Sequence, residues 1–123
     1  MAQRNQLGAQ GEEAAARHLM FDGYSILERN WRAGHLEVDI IARKRGLLVF
    51  VEVKTLASDA VINPEEHVDR IKRQRLVEAA KIYMKRENLD QQIRFDIISV
   101  TGYAPPFSIN HIENAFEVPP EFV

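Results

Sequence analysis

Apolar and polar positions alternate within one stretch of the chain, residues 35–55, and then give way to an almost unbroken apolar run. Apolar side chains occupy every second position from residue 36 to residue 42, whereas residues 47–53 are apolar except for Glu52. Alternation with a period of two is typical of a half-buried strand, and a continuous apolar run is typical of a central strand. Residues 44–46 supply a turn. The pattern predicts a tight hairpin with a centrally placed second strand.

Hydrophobic periodicity places further elements around this hairpin. Helices are predicted over residues 7–22 and from residues 63–66 to about Arg86, and strands over residues 24–32, 93–101 and 107–112. The length of 123 residues suits one domain with one core. We therefore expect a single α/β domain with a central mixed sheet flanked by helices and an extra edge strand near the C-terminal end.

Composition narrows the classes of protein to which the chain can belong. Hydrophobic residues make up 46% of the chain and the formal net charge is −2, so any nucleic-acid binding needs a local basic patch. The absence of cysteine excludes disulfides and thiolate metal sites. The four histidines, at positions 18, 35, 67 and 111, are too scattered for a familiar zinc spacing, so zinc is not expected. Neither a membrane span nor a secretory signal is apparent, and we expect a cytoplasmic protein.

Charged residues interrupt the apolar strands of the hairpin. Side chains two positions apart share a face of a strand roughly 6–7 Å apart, which aligns Glu37 with Asp39 and Glu52 with Lys54. A desolvated charge costs several kcal/mol unless it is compensated. The cluster is therefore expected either to bind a divalent cation or to be an ion pair between Glu52 and Lys54 at a strand end.

Oxygen donors in this cluster suit Mg²⁺ or Mn²⁺. Hard cations take carboxylate and carbonyl ligands and keep bound water, so Asp39, Glu52 and the backbone carbonyl of Val53 make a candidate coordination site. Lys54 would then hold or activate the attacking water. The acid on the neighbouring strand, Asp39, favours this interpretation over a simple ion pair.

The first predicted helix carries an acid at the edge of a face made of small residues. Glycines and alanines let a helix approach a sheet closely, and Glu12 lies at the edge of that face, whereas Glu13 points away. Glu12 is therefore expected either to reach the sheet or to favour the helix macrodipole near the N-terminus. His18, on the same helix, is expected to have a packing role.

The second predicted helix is strongly basic and carries two basic residues within its inward stripe. That stripe comprises Val68, Ile71, Leu76, Ala79, Ala80 and Tyr83. Lys72 and Arg75 fall within it. The Lys72 side chain either packs its stem on the sheet with its head in water, or points over the carboxylates toward a phosphate.

Residues 70–86 hold seven basic side chains against one acid, Glu78. Such a stripe neutralises backbone phosphates without reading sequence, although many solvated helices are also basic. The candidate phosphate contacts are Arg70, Arg73, Arg75 and Lys81, together with Arg32 in the bend before the hairpin. Packing of the neighbouring Trp31 is the alternative role for that bend. Asp96 is expected either to support the site or to lie at a strand edge.

Several motifs are spread over residues 8–101. They are Gly8-x-x-Gly11-Glu12, Gly23-Tyr24, Asn30-Trp31-Arg32, Glu37-Val38-Asp39-Ile40-Ile41-Ala42, Val49-Phe50-Val51-Glu52-Val53-Lys54 and Arg94-Phe95-Asp96. Together they resemble the YraN-like endonuclease-like family, which is placed in the PD-(D/E)xK nuclease superfamily beside archaeal Holliday-junction resolvases. The resemblance implies a restriction-endonuclease-like fold with an αβββαβ core.

The same resemblance implies a set of functional residues and a reaction. Asp39, Glu52 and Lys54 would be the catalytic set, Glu12 would be a supporting acid that binds a metal-bound water or a second ion, and Lys72 would contribute from the helix. The expected function is metal-dependent hydrolysis of phosphodiester bonds in DNA, with branched or junction DNA as a candidate substrate and a homodimer as a candidate assembly. The alternative is a non-catalytic nucleic-acid-binding or complex-forming module on the same fold.

Overall fold

A five-stranded sheet lies between two helices. The computed structural model describes residues 6–57 and 69–122. The elements are α1 (Gln6–Phe21), β1 (Ser25–Ala33), β2 (Leu36–Lys44), β3 (Leu47–Leu56), α2 (Arg70–Arg86), β4 (Ile93–Thr101) and β5 (Ser108–Ile112), followed by a short 3-10 helix (Pro120–Phe122). No helix in these described segments is both long and apolar enough to span a bilayer.

The sheet is mixed, and its strands lie in chain order from β1 to β5. β1, β2 and β3 pair in antiparallel fashion, β3 and β4 pair in parallel, and β5 runs antiparallel to β4 at the edge. The parallel pair requires a crossover, and α2 lies on that connection. This architecture confirms the predicted mixed α/β class, the αβββαβ order and the extra edge strand.

The predicted hairpin is formed by β2 and β3. Its two-residue turn, Arg45 and Gly46, has positive φ at both positions, 53° and 81°, which is the conformation of a type I′ turn. Both strands have further partners, so β3 lies at the centre of the five strands. The continuous apolar run therefore faces protein on both sides, as expected.

Each face of the sheet has its own hydrophobic core. On one side, Ala15, Ala16 and Leu19 of α1 pack against residues that include Val51. On the other side, α2 packs against residues that include Phe50. Alternate residues of β3 therefore contribute to different cores, and Glu52 has the same strand parity as Phe50.

The small face of α1 allows a close approach to β3. A Cβ placed on Gly11 would overlap Oγ1 of Thr55, so the helix or the threonine would have to shift. Gly11 and Glu12 are both buried, whereas Arg17 is exposed. The predicted close contact between α1 and the sheet is therefore present.

The described part of α2 begins one residue after its N-cap, Asp69, whose side chain accepts a hydrogen bond from Lys72 N at 2.9 Å. The helix start predicted at residues 63–66, and Val68 of the predicted stripe, lie outside the described residues. The helix ends at Arg86, as predicted.

The predicted inward stripe of α2 is confirmed at four positions and wrong at one. Leu76, Ala79, Ala80 and Tyr83 are buried. Ile71, however, is 59% exposed. It lies five residues before Leu76, which places it about 140° away around the helix, whereas Lys72, four residues before Leu76, is only about 40° away. The basic residue therefore takes the inward position.

Gly11→Ala is expected to lower the free energy of unfolding by about 1–3 kcal/mol, because the added methyl group would overlap the stiff Thr55 side chain. The loss should occur although alanine favours helices over glycine. Denaturant unfolding of the wild type and the variant measures the difference.

Thr55→Ala provides the matched control, because it removes the two side-chain atoms that the new methyl group would meet most closely. The double variant is expected to recover most of the loss. If Gly11→Ala costs the same in the wild-type background as in the Thr55→Ala background, the close approach is not the reason for this glycine.

Candidate active site

The end of the β2–β3 pairing positions the first acid. Backbone pairing between these strands runs from Lys44–Leu47 to Ile40–Val51. Beyond that point the Asp39 side chain replaces the backbone as the partner of β3, and its Oδ2 accepts a hydrogen bond from the Val53 N–H at 2.8 Å. A carboxylate thus lies against the β3 backbone.

The backbone of β1 is irregular beside the point where the pairing of β2 with β3 ends. Asn30 has a left-handed φ of 52° and lies between the Arg29–Ile40 and Trp31–Val38 pairs. Val38 belongs to the α2-side core and Ile40 to the α1-side core, although they are two residues apart on one strand. The regular alternation therefore breaks at the position of Asp39.

Glu52 is the second acid, and α2 supplies its nearest cation. The Lys72 Nζ atom lies 2.6 Å from Glu52 Oε1, and the Lys54 Nζ atom lies 3.8 Å from the same oxygen. Glu52 is buried, whereas both lysines keep part of their surface in solvent. The structure therefore places Lys72 over the carboxylates, and the Glu52–Lys54 pair is the longer of the two contacts.

Burial and repulsion between carboxylates shift the protonation of Asp39. Burial, followed by the neighbouring Glu52 charge, raises the pKa of Asp39 to about 7, although the Val53 N–H works in the opposite direction. Glu37 raises this pKa further, and Lys72 lowers it. The Glu52 carboxylate is therefore close enough to oppose the ionisation of Asp39.

The two lysines are shifted in opposite directions. Burial, together with the neighbouring Lys72 ammonium, lowers the pKa of Lys54. Burial acts to lower the pKa of Lys72, but its hydrogen bonds to Glu52 and Lys54 and the charges of Glu52 and Asp39 together outweigh burial, and the pKa of Lys72 ends above its ordinary value. Lys72 is therefore the firmly charged partner of Glu52, and Lys54 is the amine that more readily loses a proton.

A cleft of about 500 Å³ opens over these groups. Its walls include Glu37 and Glu52 from the hairpin, and Lys72 and Arg75 from α2. His35, directly before β2, also lines the cleft. An anion that enters the cleft would meet ammonium and guanidinium groups beside carboxylates.

The donor set formed by Asp39, Glu52 and Val53 suits a hard divalent cation. Asp39 and Glu52 offer carboxylate oxygens, and Val53 brings its backbone next to Asp39. The mutual repulsion that raises the Asp39 pKa is the repulsion that a divalent ion would relieve. Lys72 supplies positive charge to Glu52 at present, so an ion would share that oxygen with an ammonium or displace it.

Glu12 approaches the same strand from the opposite layer. It is buried on α1 beside Gly11, which packs on Thr55 near the C-terminal end of β3. The first turn of the described helix contains no acid, so the macrodipole interpretation of Glu12 is wrong. The burial of Glu12 beside this contact agrees with the expectation that it reaches the sheet, which stays a prediction, as does a role in catalysis.

The predicted phosphate contacts do not form one continuous stripe. Successive residues of a helix are separated by about 100°, which distributes the basic side chains of α2 around its circumference. Arg70 and Arg75 are exposed, and Arg75 lines the cleft. Arg73 lies with its guanidinium 5.5 Å from the Phe116 ring centroid, and Lys81 pairs with Glu78 at 3.8 Å.

Arg32 of β1 pairs with an acid that lines the cleft. Its guanidinium is 3.2 Å from Glu37, which lines the cleft. The adjacent Trp31 packs edge-on against Tyr83 of α2 at 5.3 Å between ring centroids, and the Arg86 guanidinium lies 5.8 Å from the Trp31 ring. The packing interpretation therefore holds for Trp31, while Arg32 stays near the acids.

Asp96 belongs to a separate network. It has the same strand parity as Ile98, which packs in the α1-side core, so it lies on the opposite face from Glu52. Its carboxylate accepts hydrogen bonds from Arg94 at 2.7 and 2.8 Å and lies 2.7 Å from His111. Because β4 has neighbours on both sides, the strand-edge interpretation is wrong.

Sequence reasoning missed His35 and Asp69 as residues of the cleft. The sequence carried a signal for His35, because it lies two residues before Glu37 and flanks the inward-facing Leu36. No comparable signal marked Asp69, because the predicted helix start lay several residues earlier.

A five-stranded mixed sheet between helices, with acids where two central strands separate, is consistent with a restriction-endonuclease-like fold. The family profile described as "Uncharacterised protein family UPF0102" matches residues 11–100, and the chain belongs to that family. This membership confirms the resemblance drawn from the motifs.

Relatives with the family's name match most of the chain. One from Bacteroides thetaiotaomicron is 50% identical over 119 residues, which are 97% of this chain and 98% of the relative. One from Flavobacterium psychrophilum is 46% identical over 116 residues, with 94% and 98% covered. A solved structure, the SPO1766 protein of unknown function from Silicibacter pomeroyi, is 18% identical with a TM-score of 0.42, covering 98% of this chain and 80% of that one.

Asp39→Asn is expected to stabilise the metal-free protein, and to do so more at high pH. The folded-state pKa of about 7 lies above the ordinary 3.8, so ionisation of Asp39 destabilises the fold progressively from about pH 4 to about pH 7 and fully above that range. Removing the charge should raise the free energy of unfolding by roughly 2–4 kcal/mol at about pH 8 and by much less at about pH 4. Chemical denaturation in EDTA at both pH values measures this.

Asp90→Asn, at an exposed position outside the cleft, is the control and should change stability little at either pH. If Asp39→Asn raises the free energy of unfolding equally at the two pH values, the result would contradict the raised pKa assigned to Asp39.

Proposed function

We propose that this protein is a metal-dependent endonuclease that hydrolyses phosphodiester bonds in DNA. The observation that carries the proposal is the convergence of Asp39, Glu52, Lys54 and Lys72 from two strands and a helix, beside a cleft that Glu52 and Lys72 line. A structural ion pair needs one acid and one amine, whereas here the Glu52 charge acts to raise the pKa of a second acid, Asp39, beside two amines. Such clustering is costly for folding and typical of a functional site.

Asp39, Glu52 and the Val53 carbonyl are the proposed ligands of Mg²⁺ or Mn²⁺. When bound, that ion would polarise the phosphate and lower the pKa of its water. Glu12 is the proposed supporting acid from the α1 layer. A cytoplasmic location is part of the proposal, since the chain has no cysteine that would suit an oxidising compartment.

Each lysine has a distinct proposed role. Lys54, whose pKa is lowered by burial and by the Lys72 charge, orients the attacking water and can exchange a proton at Nζ. Lys72 stays charged, fixes Glu52 through its contact of 2.6 Å, and offers the remaining hydrogens of its ammonium to a non-bridging phosphate oxygen. The two amines thus separate water activation from charge stabilisation.

Duplex DNA is the proposed substrate, and it would enter along the cleft. Arg75 on one wall and Arg32 near the other suit the phosphates on either side of the scissile bond. Arg70, Arg73 and Lys81 are proposed to contact phosphates farther along the backbone. Branched DNA as the preferred form, and a homodimer as the assembly, rest on the resemblance of the motifs.

The purified protein is expected to cleave labelled linear, flapped or four-way DNA in Mg²⁺ or Mn²⁺ and not in EDTA. Asp39→Asn and Lys54→Ala should each lower the rate by about 10²-fold or more, because one removes a ligand charge and the other removes the amine that orients the attacking water. Denaturing gels with single-turnover kinetics measure the rates.

Lys44→Ala is the matched control, since this lysine lies at the turn end of β2 beside Tyr24 and should leave cleavage unchanged. Asp39→Asn is expected to fold at least as stably as the wild type, so its loss of cleavage cannot be ascribed to unfolding. Cleavage that persists in Asp39→Asn would identify a contaminating nuclease and contradict the proposal.

A non-catalytic DNA-binding module is the second candidate, and one contact favours it. The Lys72 ammonium already lies 2.6 Å from Glu52, so the buried acid has a counter-charge without any divalent ion. In this case DNA would bind in EDTA, and Asp39→Asn would not weaken binding.

Arg75→Ala is expected to weaken DNA binding about 3–10-fold and to reduce the slope of log affinity against log salt by about 1, because one phosphate contact is lost. Fluorescence anisotropy at several salt concentrations measures both quantities. Arg17→Ala is the control, since Arg17 pairs with Glu13 on the opposite side of the sheet. An unchanged salt slope for Arg75→Ala would remove α2 from the DNA interface.

A further inference from the structure

A second cluster of metal-ligating side chains lies on the α1 side of the sheet, away from the cleft. His18 and Asp22 come from the C-terminal end of α1, and His111 and Glu113 come from β5 and the turn after it. These four side chains and Phe21 line a pocket of about 460 Å³. Ligand atoms of Asp22, His111 and Glu113 lie within 4.8 Å of one another.

His111 is held with one nitrogen toward a buried acid. Its Nε2 lies 2.7 Å from Asp96 Oδ2, and Asp96 is 1% exposed. Asp96 also accepts two hydrogen bonds from Arg94 and one from the Asn114 N–H, so its carboxylate is a well-fixed partner for Nε2. With Nε2 directed at that acid, Nδ1 is the ring atom that could bind an ion, as in carboxylate–histidine–metal sites.

The two histidines are spaced like two ligands of one ion. His18 Nε2 lies 3.3 Å from His111 Nδ1, which is long for a hydrogen bond between rings. A tetrahedral ion with metal–nitrogen bonds of about 2.0–2.1 Å has its ligand atoms about 3.3–3.4 Å apart.

We propose that His18, Asp22, His111 and Glu113 form a binding site for a divalent transition metal, Zn²⁺ being the ion that best suits two imidazoles and two carboxylates. The chain offers no thiolate, and nitrogen ligands disfavour Mg²⁺. The site joins the end of α1 to the edge strand, so a bound ion stabilises the fold without taking part in chemistry at the cleft.

Two cations near the pocket limit the affinity. Lys44 Nζ lies 3.7 Å from Asp22, and the Arg94 guanidinium lies 3.6 Å from Glu113. Each carboxylate would be shared with, or released by, its present partner when the ion enters. The competition predicts that removing Lys44 strengthens metal binding, a result that damage to the fold would not produce.

The experiment titrates the metal-free full chain with Zn²⁺ alone by calorimetry and with Co²⁺ alone by visible absorption. The wild type is expected to bind one ion at this pocket and to show the intense d–d bands of tetrahedral Co²⁺. Asp22→Asn and Glu113→Gln, both at exposed positions, should each weaken binding about 10–100-fold, and Lys44→Ala should strengthen it about 2–5-fold.

Asp39→Asn and His35→Ala, both at the other cleft, are the controls and should leave the Co²⁺ spectrum intact. Circular dichroism checks that each variant is folded. The proposal is overturned if folded wild type gives no tetrahedral Co²⁺ spectrum, or if the spectrum survives Glu113→Gln but disappears in Asp39→Asn. The second outcome would assign the ion to the cleft.

Discussion

The structure depends on how it compensates an acid on the central strand of its sheet. Glu52 lies on β3, which has β2 on one side and β4 on the other, and its buried side chain lines the cleft. Lys72 of α2 provides the counter-charge at 2.6 Å. The packing of α2 on the sheet therefore also positions the cation that offsets the buried acid.

The second acid, Asp39, lies where β2 separates from β3. If backbone pairing continued past Ile40–Val51, the Val53 N–H would have no need of the Asp39 side chain. The left-handed Asn30 on β1 lies beside this break, so an irregularity on an outer strand accompanies the exposure of polar groups at the centre. Backbone strain of this kind tends to concentrate where a protein binds or reacts.

The two faces of the sheet carry different polar groups. The α2 side holds the acids and lysines of the cleft, whereas the α1 side holds the Arg94–Asp96–His111 network and the histidine pair. Both groups lie above hydrophobic cores that α1 and α2 complete. An ion at one face would be separated from the other by the thickness of the sheet, which allows a structural and a reactive site in a small protein.

Periodicity and spacing determined the element order, the central hairpin and the strand positions of Asp39, Glu52 and Lys54, because strand alternation is a local property of the sequence. Only the tertiary structure decided between the two interpretations of Lys72, since the rotation of α2 against the sheet sets which side chain points inward. The same rotation exposed Ile71. His18 and His111 are 93 positions apart, and only the packing of α1 beside β5 brings their rings together, because local patterns carry no record of such distant contacts.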